Sequence, residues 1–260
     1  MKILPVIAFA ACLLPFTAFA DDAEDALRER GAQTLREFQN NVRTYAADFS
    51  QASYDADGGL KEQSSGVAII KRPGKFAWIY RDPYENHLIA DGTNLWSWDL
   101  DLDSVNVREQ KGALGQSPAQ ILSGNTDALE AFDYHGASEQ DGVLVVQLAS
   151  RSQESDFRVM RLAFNAGVLV AMRIGDNLGQ TTDIQFTDVR MNTEIDESVF
   201  DFVIPEGADV VGTPIRDSTE SAGDADEAPE TDNEVEDSAA RMRDDTPPER
   251  SATPIVSGLG

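Results

Sequence analysis

A repeated pattern of short alternating segments and tight turns between residues 45 and 109 constrains the fold more than any other feature of the sequence. Apolar residues recur there with a period of two, in segments that we predict to be β-strands. Gly, Pro and Asp separate the segments, as in D-A-D-G-G at 55–59 and D-G at 91–92. Because connections this short join antiparallel neighbours, we predict an antiparallel meander. The predicted strands cover 45–52, 66–71, 75–80, 86–90, 94–98 and 105–109.

Helices are predicted on both sides of this meander. Residues 21–42 carry apolar side chains at helical spacing and acidic residues at the start, which is typical of an amphipathic helix. In Q-S-P-A-Q-I-L-S-G, Ser117 can cap a helix that begins at Pro118 and ends before Gly124. A second short helical piece is predicted at 126–131.

Strands resume after these helices, and their number indicates the fold class. About a dozen strands with two or three helices exceed what a small open sheet holds. We therefore predict a mainly β (α+β) fold in which the sheet curls toward a barrel and helices cover one mouth or face. The later predicted strands cover 132–136, 143–149, 157–164, 168–174, 180–189 and 200–203.

The strand predicted at 75–80 is apolar on both faces. Phe76, Trp78 and Tyr80 lie on one side, and Ala77 and Ile79 lie on the other. Packing of both faces in a core explains this pattern, and so does a curved sheet around an empty apolar concavity. Periodicity alone does not separate the two interpretations.

The N-terminal residues indicate export from the cytoplasm. Residues 1–20 begin with Lys2, continue through an apolar run and end in A-F-A before two aspartates, which is the pattern of a cleaved secretory signal peptide. Cleavage after Ala20 would leave no cysteine, and this excludes disulfides, thiolate catalysis and cysteine metal sites. Cleavage before Cys12, the one cysteine of the chain, would instead leave a lipidated N-terminus.

The C-terminal residues 213–260 are predicted to be a disordered acidic tail. They contain thirteen acidic residues, four arginines and no aromatic residue, so they bury too little apolar surface to offset their ordering entropy. Residues 21–212 remain as one domain. The formal net charge of the chain is −25 at pH 7, which makes nucleic acid and anionic membranes poor partners. No stretch after residue 20 has the length and apolarity of a membrane span.

The sequence carries no catalytic or metal-binding motif. His87 and His135 are the only histidines and neither has a zinc-site spacing. The loop at Asp55 lacks the later ligands of a calcium site and predicts a hairpin turn. The D-L-D-L-D at 99–103 could hold a cation, but a solvated loop explains it as well. We predict no enzymatic activity, no metal and no cofactor.

Arg72 lies in an R-P-G turn between an aliphatic and an aromatic strand. Most arginines at turns are solvated charges. At this position, however, a guanidinium with five fixed donors could reach the backbone carbonyls at a helix end.

Five segments, taken in order, resemble a known family. They are G-V-A-I-I-K-R-P-G-K-F-A-W-I-Y at 66–80, P-Y-E-N-H-L-I-A-D-G-T-N-L-W-S-W-D at 83–99, S-P-A-Q-I-L at 117–122, D-N-L-G-Q-T-T-D-I-Q-F at 176–186 and F-D-F-V-I-P-E-G-A-D-V at 200–210. The ordered set resembles the LolA family, the periplasmic outer-membrane lipoprotein carriers of Gram-negative bacteria, over nearly all of 21–212. The acidic tail departs from the family pattern.

The resemblance implies an incomplete antiparallel β-barrel of about 11 strands, with helices forming a lid over an apolar cavity. It implies a monomer that binds without catalysis and without stable membrane insertion. Such a carrier accepts the acyl chains of outer-membrane lipoproteins from an ABC-type, ATP-driven releasing complex in the inner membrane and delivers them to the outer-membrane receptor LolB.

The resemblance also implies a set of lid and ligand-binding residues. Arg72, in the family motif R-P-x-x-F-x-W, is expected to hold the lid through backbone carbonyls near Ile121 and Leu122. Aromatic side chains are expected to form the hydrophobic site. The full set is Arg72, Phe76, Trp78, Trp96, Pro118, Ile121 and Leu122.

Two other functions remain open on the sequence. One is a periplasmic lipid-binding or envelope-sensing module on the same fold. The other is an outer-membrane receptor resembling LolB, which would require lipidation of Cys12.

Overall fold

A computed structural model describes residues 18–111, 118–124, 132–152 and 157–215. Within these ranges a long helix comes first, and one short helix and one 3₁₀ turn interrupt the strands that follow. The helices are α1 (Ala18–Asn41) and α2 (Pro118–Leu122), and the 3₁₀ turn is Glu197–Phe200. The strands are β1 (Thr44–Tyr54), β2 (Leu60–Lys71), β3 (Lys75–Asp82), β4 (Asn86–Ala90), β5 (Asn94–Asp99), β6 (Ser104–Glu109), β7 (Phe132–Gln140), β8 (Val143–Ser150), β9 (Phe157–Asn165), β10 (Val168–Asp176), β11 (Thr181–Met191) and β12 (Asp209–Val211).

All the described strands form one open sheet in the order β12-β6-β5-β4-β3-β2-β1-β11-β10-β9-β8-β7. Each chain neighbour from β1 to β6 and from β7 to β11 pairs antiparallel, and the pairing of β1 with β11 joins the two meanders. Only β12 runs parallel to its partner, β6. The predicted mainly β fold with an incomplete antiparallel barrel is therefore confirmed, since β12 and β7 lie at the two ends of the sheet.

The strand predicted at 200–203 is wrong. The chain forms a 3₁₀ turn at Glu197–Phe200, which begins where the Asp196 side chain accepts a hydrogen bond from the Ser198 amide. The chain then crosses the outer face of the sheet and pairs with its edge only at Asp209–Val211. The apolar residues predicted to form a strand therefore cover the sheet instead of extending it. The helical piece predicted at 126–131 lies outside the described residues.

The sheet has an inner and an outer face, and both are apolar. The inner face packs against α1 and α2, and the outer face of β2–β6 packs against the chain between Ile195 and Ala208. This double covering explains why β3 is apolar on both sides. Buried inner-face side chains include Phe49, Phe76, Trp78, Leu95, Phe164 and Phe186, and buried outer-face side chains include Ile69, Ile79, Ile89 and Trp96, which Phe200 of the 3₁₀ turn joins in one cluster.

Helix α1 closes one side of the inner face. Its apolar stripe buries Leu35 and Phe38, and the Phe38 ring meets the edge of the Phe164 ring at a centroid distance of 5.5 Å. Near its middle, the Arg28 carbonyl accepts a hydrogen bond from the Tyr134 hydroxyl of β7 at 2.6 Å. The helix therefore also covers β7, an edge strand whose backbone would otherwise be open to other chains. Among the helices of the described ranges, none combines the length and apolarity needed to cross a membrane.

Candidate functional site

The aromatic residues of β3 form the centre of the inner face. Phe76 is fully buried and Trp78 is 1% exposed. The Trp78 ring lies 4.6 Å from the Phe49 ring and 6.1 Å from the Phe186 ring, between centroids. These rings belong to β3, β1 and β11, which are neighbours or near neighbours in the sheet. They form a continuous apolar floor.

A short segment packs on this floor beside the turn that joins β2 to β3. We call residues 118–124 the lid; it consists of α2 and the two residues that follow it. Ile121 and Leu122 are buried in the inner cluster together with Phe76 and Trp78. The Ser123 amide donates to the Ala119 carbonyl at 2.9 Å, which ends the helix. The lid is thus held partly by apolar contact with the floor.

Arg72 supplies the polar ties of the lid. Its Nε donates to the Leu122 carbonyl at 3.0 Å, as predicted from the sequence. Its Nη1 donates to the carbonyls of Phe38 at 2.7 Å, Gln39 at 3.1 Å and Val42 at 3.4 Å, at the end of α1. One guanidinium therefore connects the lid to the C-terminal end of α1, where the helix leaves carbonyls without intrahelical partners.

The Arg72 side chain is partly removed from water. Its Cζ lies 4.6 Å from the centroid of the Phe38 ring, in a cation–π contact. Burial lowers the pKa of Arg72 to about 10, so the guanidinium remains charged at neutral pH. Its Nη2 is buried and has no hydrogen-bond partner within the described part of the chain.

The other two cations of the turn face away from the lid. Lys71 and Lys75 both form ion pairs with Glu197, in the segment that covers the outer face. All three side chains are one third to one half exposed, so the net stabilisation is small. The cationic turn thus has two functions: its lysines hold the outer segment, and its arginine holds the lid.

Two glycines allow the turn and the lid to approach each other. Gly124 has a φ of +66°, and a Cβ at this position would lie 2.5 Å from Cδ of Arg72. Gly74 has a φ of +81°, and its amide donates to the Ser123 carbonyl at 3.0 Å. The turn therefore contacts two consecutive lid carbonyls, those of Leu122 and Ser123.

Most of the predicted site residues lie together, with one correction. Four of them belong to the inner cluster: Phe76, Trp78, Ile121 and Leu122. Arg72 donates to the lid at the Leu122 carbonyl. Pro118 is the first residue of α2. Trp96 is the correction, because it lies in the outer cluster.

The surroundings of Trp96 explain its position. Its ring stacks on Phe202 at 4.9 Å, and its Nε1 donates to Asp91 at 2.9 Å. Along the sheet, Trp96 pairs with Ile89 and Ile89 pairs with Ala77, so Trp96 shares the outer face with Ala77. It does not contribute to the apolar floor under the lid.

The acidic turns are structural. Asp55 accepts hydrogen bonds from the amides of Asp57 and Gly59, as the predicted hairpin turn requires. Asp99 accepts one from the Leu102 amide. His87 lies 3.1 Å from Glu85, between Nε2 and Oε1. No group of three or more His, Cys, Asp or Glu side chains within the described ranges is arranged to hold a metal ion.

Sequence reasoning missed the contacts between Arg72 and α1. A signal for them exists: β1 begins at Thr44, directly after α1, and Thr44 pairs with Lys71. Once β1 and β2 are paired as a hairpin, the end of α1 must lie beside residue 72. This information lies in the pairing register of β1 with β2, which comes out correctly only when the bulge near Ser53 is included.

Comparison with known proteins shows which family the chain belongs to. A family model described as outer membrane lipoprotein carrier protein LolA matches residues 40–203. The outer-membrane lipoprotein carrier protein of Dechloromonas aromatica is 38% identical over 211 residues, covering 81% of this chain and 96% of the relative. That of Azotobacter vinelandii is 37% identical over 204 residues, covering 78% and 98%.

A solved structure of a LolA superfamily protein from Nitrosomonas europaea aligns with 67% of this chain and 97% of its own, at 10% identity and a TM-score of 0.39. The family model matches more than half of the chain, and the curated relatives match over nearly their whole length. The chain therefore belongs to the LolA family of outer membrane lipoprotein carrier proteins.

Proposed function

We propose that this protein carries lipoproteins through the periplasm by enclosing their acyl chains between the apolar floor and the lid. The observation that supports this most directly is the Arg72 guanidinium, which ties the lid to α1 above a floor of buried aromatic rings. The names of the curated relatives agree with it. In this proposal the protein binds its cargo and does not transform it.

The need for a carrier follows from the cost of exposing lipid to water. Burying an acyl chain is worth about 0.8 kcal/mol per methylene group, so the chains of one lipoprotein would lose tens of kcal/mol in water. Unassisted crossing of the periplasm is therefore negligible. The inner face offers an apolar surface that can replace the membrane, and its floor is made of Phe49, Phe76, Trp78 and Phe186.

Loading requires the lid to move. In the closed structure Ile121 and Leu122 occupy the inner face, so acyl chains must displace them. The tie is weak enough for this, because a buried donor without a partner, such as Nη2 of Arg72, costs about 1–3 kcal/mol. A ligand that binds only the open form then shifts the equilibrium toward it.

The partners follow from the same scheme. We propose that an ABC-type releasing complex in the inner membrane loads the carrier and that LolB at the outer membrane unloads it. The contacts that close the empty lid must be broken when cargo binds, and this cost offsets part of the binding free energy. Cargo is therefore held less tightly than in a permanently open site, and this assists delivery. We also propose that residues 1–20 are removed as a signal peptide and that residues 213–260 form a tail with no part in acyl binding.

A release assay tests the proposal. Inner-membrane vesicles carrying lipoproteins and the releasing complex of the same organism are incubated with ATP and the purified protein, and soluble lipoprotein is counted. We expect ATP-dependent release as a one-to-one complex. The informative variant is Arg72→Leu, and Arg158→Leu is its charge-matched control because Arg158 is exposed on β9, away from the lid.

The outcomes separate the alternatives. Release by the parent and by Arg158→Leu, with altered loading or onward transfer by Arg72→Leu, supports the carrier with a lid tied by Arg72. Binding of free fatty acid without any release from vesicles would instead favour a lipid-binding or sensing module. A lipidated Cys12 found by mass spectrometry would favour the receptor.

A further inference from the structure

Gln110 connects two turns near the lid through hydrogen bonds. It follows β6 directly and is 4% exposed. Its Oε1 accepts a hydrogen bond from the Gly92 amide at 3.0 Å, and its Nε2 donates to the Gly74 carbonyl at 2.6 Å. Its own amide donates to the Thr93 carbonyl at 2.9 Å. Gln110 is thus fixed by one turn, at 91–94, and restrains the other, at 72–74.

The restrained turn is the one that holds the lid. Arg72 donates to Leu122, and Gly74 donates to Ser123. Both contacts depend on the orientation of peptide groups within three residues. Glycine populates many backbone conformations, so the geometry at Gly74 needs an external restraint. The Nε2 of Gln110 supplies one by fixing the direction of the Gly74 carbonyl.

We propose that Gln110 is a positioning residue for the lid, which acts by holding the 72–74 turn in the conformation that presents both lid donors. The inference rests on the proposed carrier function, since it assigns Gln110 to the same opening step. Loss of the Gln110 donor leaves the buried Gly74 carbonyl without a partner, and the turn gains freedom to rotate. The lid then opens more often although none of its own contacts has been mutated.

The experiment uses two substitutions that keep the size of the side chain. In Gln110→Glu the carboxylate can still accept from Gly92 but cannot donate to Gly74, and it regains a donor when it is protonated. Gln110→Met loses both bonds at every pH. Val107→Ala is the control, because Val107 is a buried residue of β6, the strand before Gln110, and its truncation destabilises the outer cluster without removing a hydrogen bond of the turn.

The readout is hydrogen exchange of the lid, measured by mass spectrometry on the purified chain with its tail and expressed as protection relative to the intrinsic rate at each pH. At pH 8 both Gln110 variants lack the hydrogen bond to the Gly74 carbonyl. We expect each to lose about five- to tenfold in lid protection, as the loss of one neutral hydrogen bond predicts. Acidification should restore protection in Gln110→Glu and leave Gln110→Met unchanged. Val107→Ala should leave lid protection unaltered. Its denaturant midpoint should nevertheless be equal to or below the midpoints of the Gln110 variants, so that global destabilisation does not account for their loosened lid.

Wild-type lid protection in Gln110→Glu at every pH would overturn the inference, and so would equal loosening by Val107→Ala. Uptake of a fluorescent fatty acid, measured on the same samples, separates this failure from failure of the proposed function. A loosened lid with unchanged uptake in both Gln110→Glu and Arg72→Leu supports the positioning role and contradicts the carrier mechanism. Altered uptake in Arg72→Leu alone, with lid protection in Gln110→Glu unchanged, contradicts the positioning role of Gln110 and supports the carrier mechanism.

Discussion

At the scale of single residues, Arg72 shows how one side chain can hold a movable element. Its donors are arranged in a planar fork, so Nε and Nη1 reach the lid and α1 in different directions at once. An ammonium group is a point charge on a flexible chain and cannot reproduce this geometry. Charge alone is therefore insufficient for the tie.

The first prediction concerns that distinction. We expect Arg72→Lys to lose lid protection against hydrogen exchange by about tenfold or more, although the charge is retained, since each hydrogen bond from a charged group contributes roughly 1.5–3 kcal/mol. Exchange of the lid peptide, compared with that of β9, measures the effect. Retention of the parent's lid protection in Arg72→Lys would show that charge is sufficient.

The second prediction concerns Gly124. We expect Gly124→Ala to destabilise the closed lid by at least about 1 kcal/mol, because alanine disfavours a φ of +66° and its Cβ would collide with Arg72. The Arg72 side chain must then leave its place. Urea denaturation and lid exchange are the measurements, with Gly142→Ala as the control because it has a similar positive φ and open space around it. Equal effects in both variants would mean that backbone strain alone is responsible.

At the scale of elements, the alternation of residues predicted nearly every described strand, and antiparallel pairing followed from the short turns. The sequence was less informative about which face each strand presents. Trp78 and Trp96 both lie in apolar alternating segments, but the turn at 91–94 pairs Ala90 with Leu95, so Leu95 faces inward and Trp96 outward. The faces of Trp78 and Trp96 are distinguished only when the pairing is followed from β3 through β4 to β5.

Segments without their own periodicity could not be placed from the sequence. In the segment at 195–208, Ile195, Val199, Phe200, Phe202 and Ala208 pack on the outer face. The short stretch F-D-F-V at 200–203, with its apolar residues, resembles a strand. From the chemistry of guanidinium we predicted only that Arg72 could reach carbonyls at a helix end, and the family resemblance pointed to the lid. The contacts to α1 depend on long-range pairing. The role proposed for Gln110 depends on the turns at 72–74 and 91–94 lying close together, which no local pattern reports.

The third prediction follows from the two faces of the sheet. We expect Phe202→Ala to lower the free energy of unfolding by about 2 kcal/mol or more through loss of the contact with Trp96, while uptake of a fluorescent fatty acid stays unchanged. Phe76→Ala should alter uptake, because Phe76 lies on the inner face. Reduced uptake in Phe202→Ala at full folding would return the outer cluster to the candidate site.

At the scale of the whole molecule, the end of the described chain is attached to the sheet. The Asn94 side chain, 5% exposed, donates from Nδ2 to the Ile215 carbonyl at 3.0 Å and accepts from the Ile215 amide at 2.8 Å. Ile215 was assigned to the tail on the sequence, but its backbone is hydrogen-bonded to the domain. The described chain therefore ends beside the turn at 91–94.

The fourth prediction compares two truncations. Removal of 216–260 should leave the melting temperature and fatty acid uptake unchanged, because Ile215 keeps its contacts. Removal of 213–260 should lower the free energy of unfolding by about 1–3 kcal/mol, since the buried side-chain amide of Asn94 then loses both hydrogen bonds to Ile215. Thermal unfolding followed by circular dichroism measures both. A large loss of stability on removal of 216–260 would assign a structural role to the acidic residues.

Among the described residues, the acceptors that Arg72 uses are all main-chain carbonyls, in the lid and at the end of α1. A carbonyl is present whatever side chain its residue carries. In the proposed mechanism, substitutions in α2 therefore change the size and shape of the surface presented to an acyl chain while the means of closure persists. A carrier built in this way adapts to new cargo by point mutation in one short helix, without a new closing contact each time.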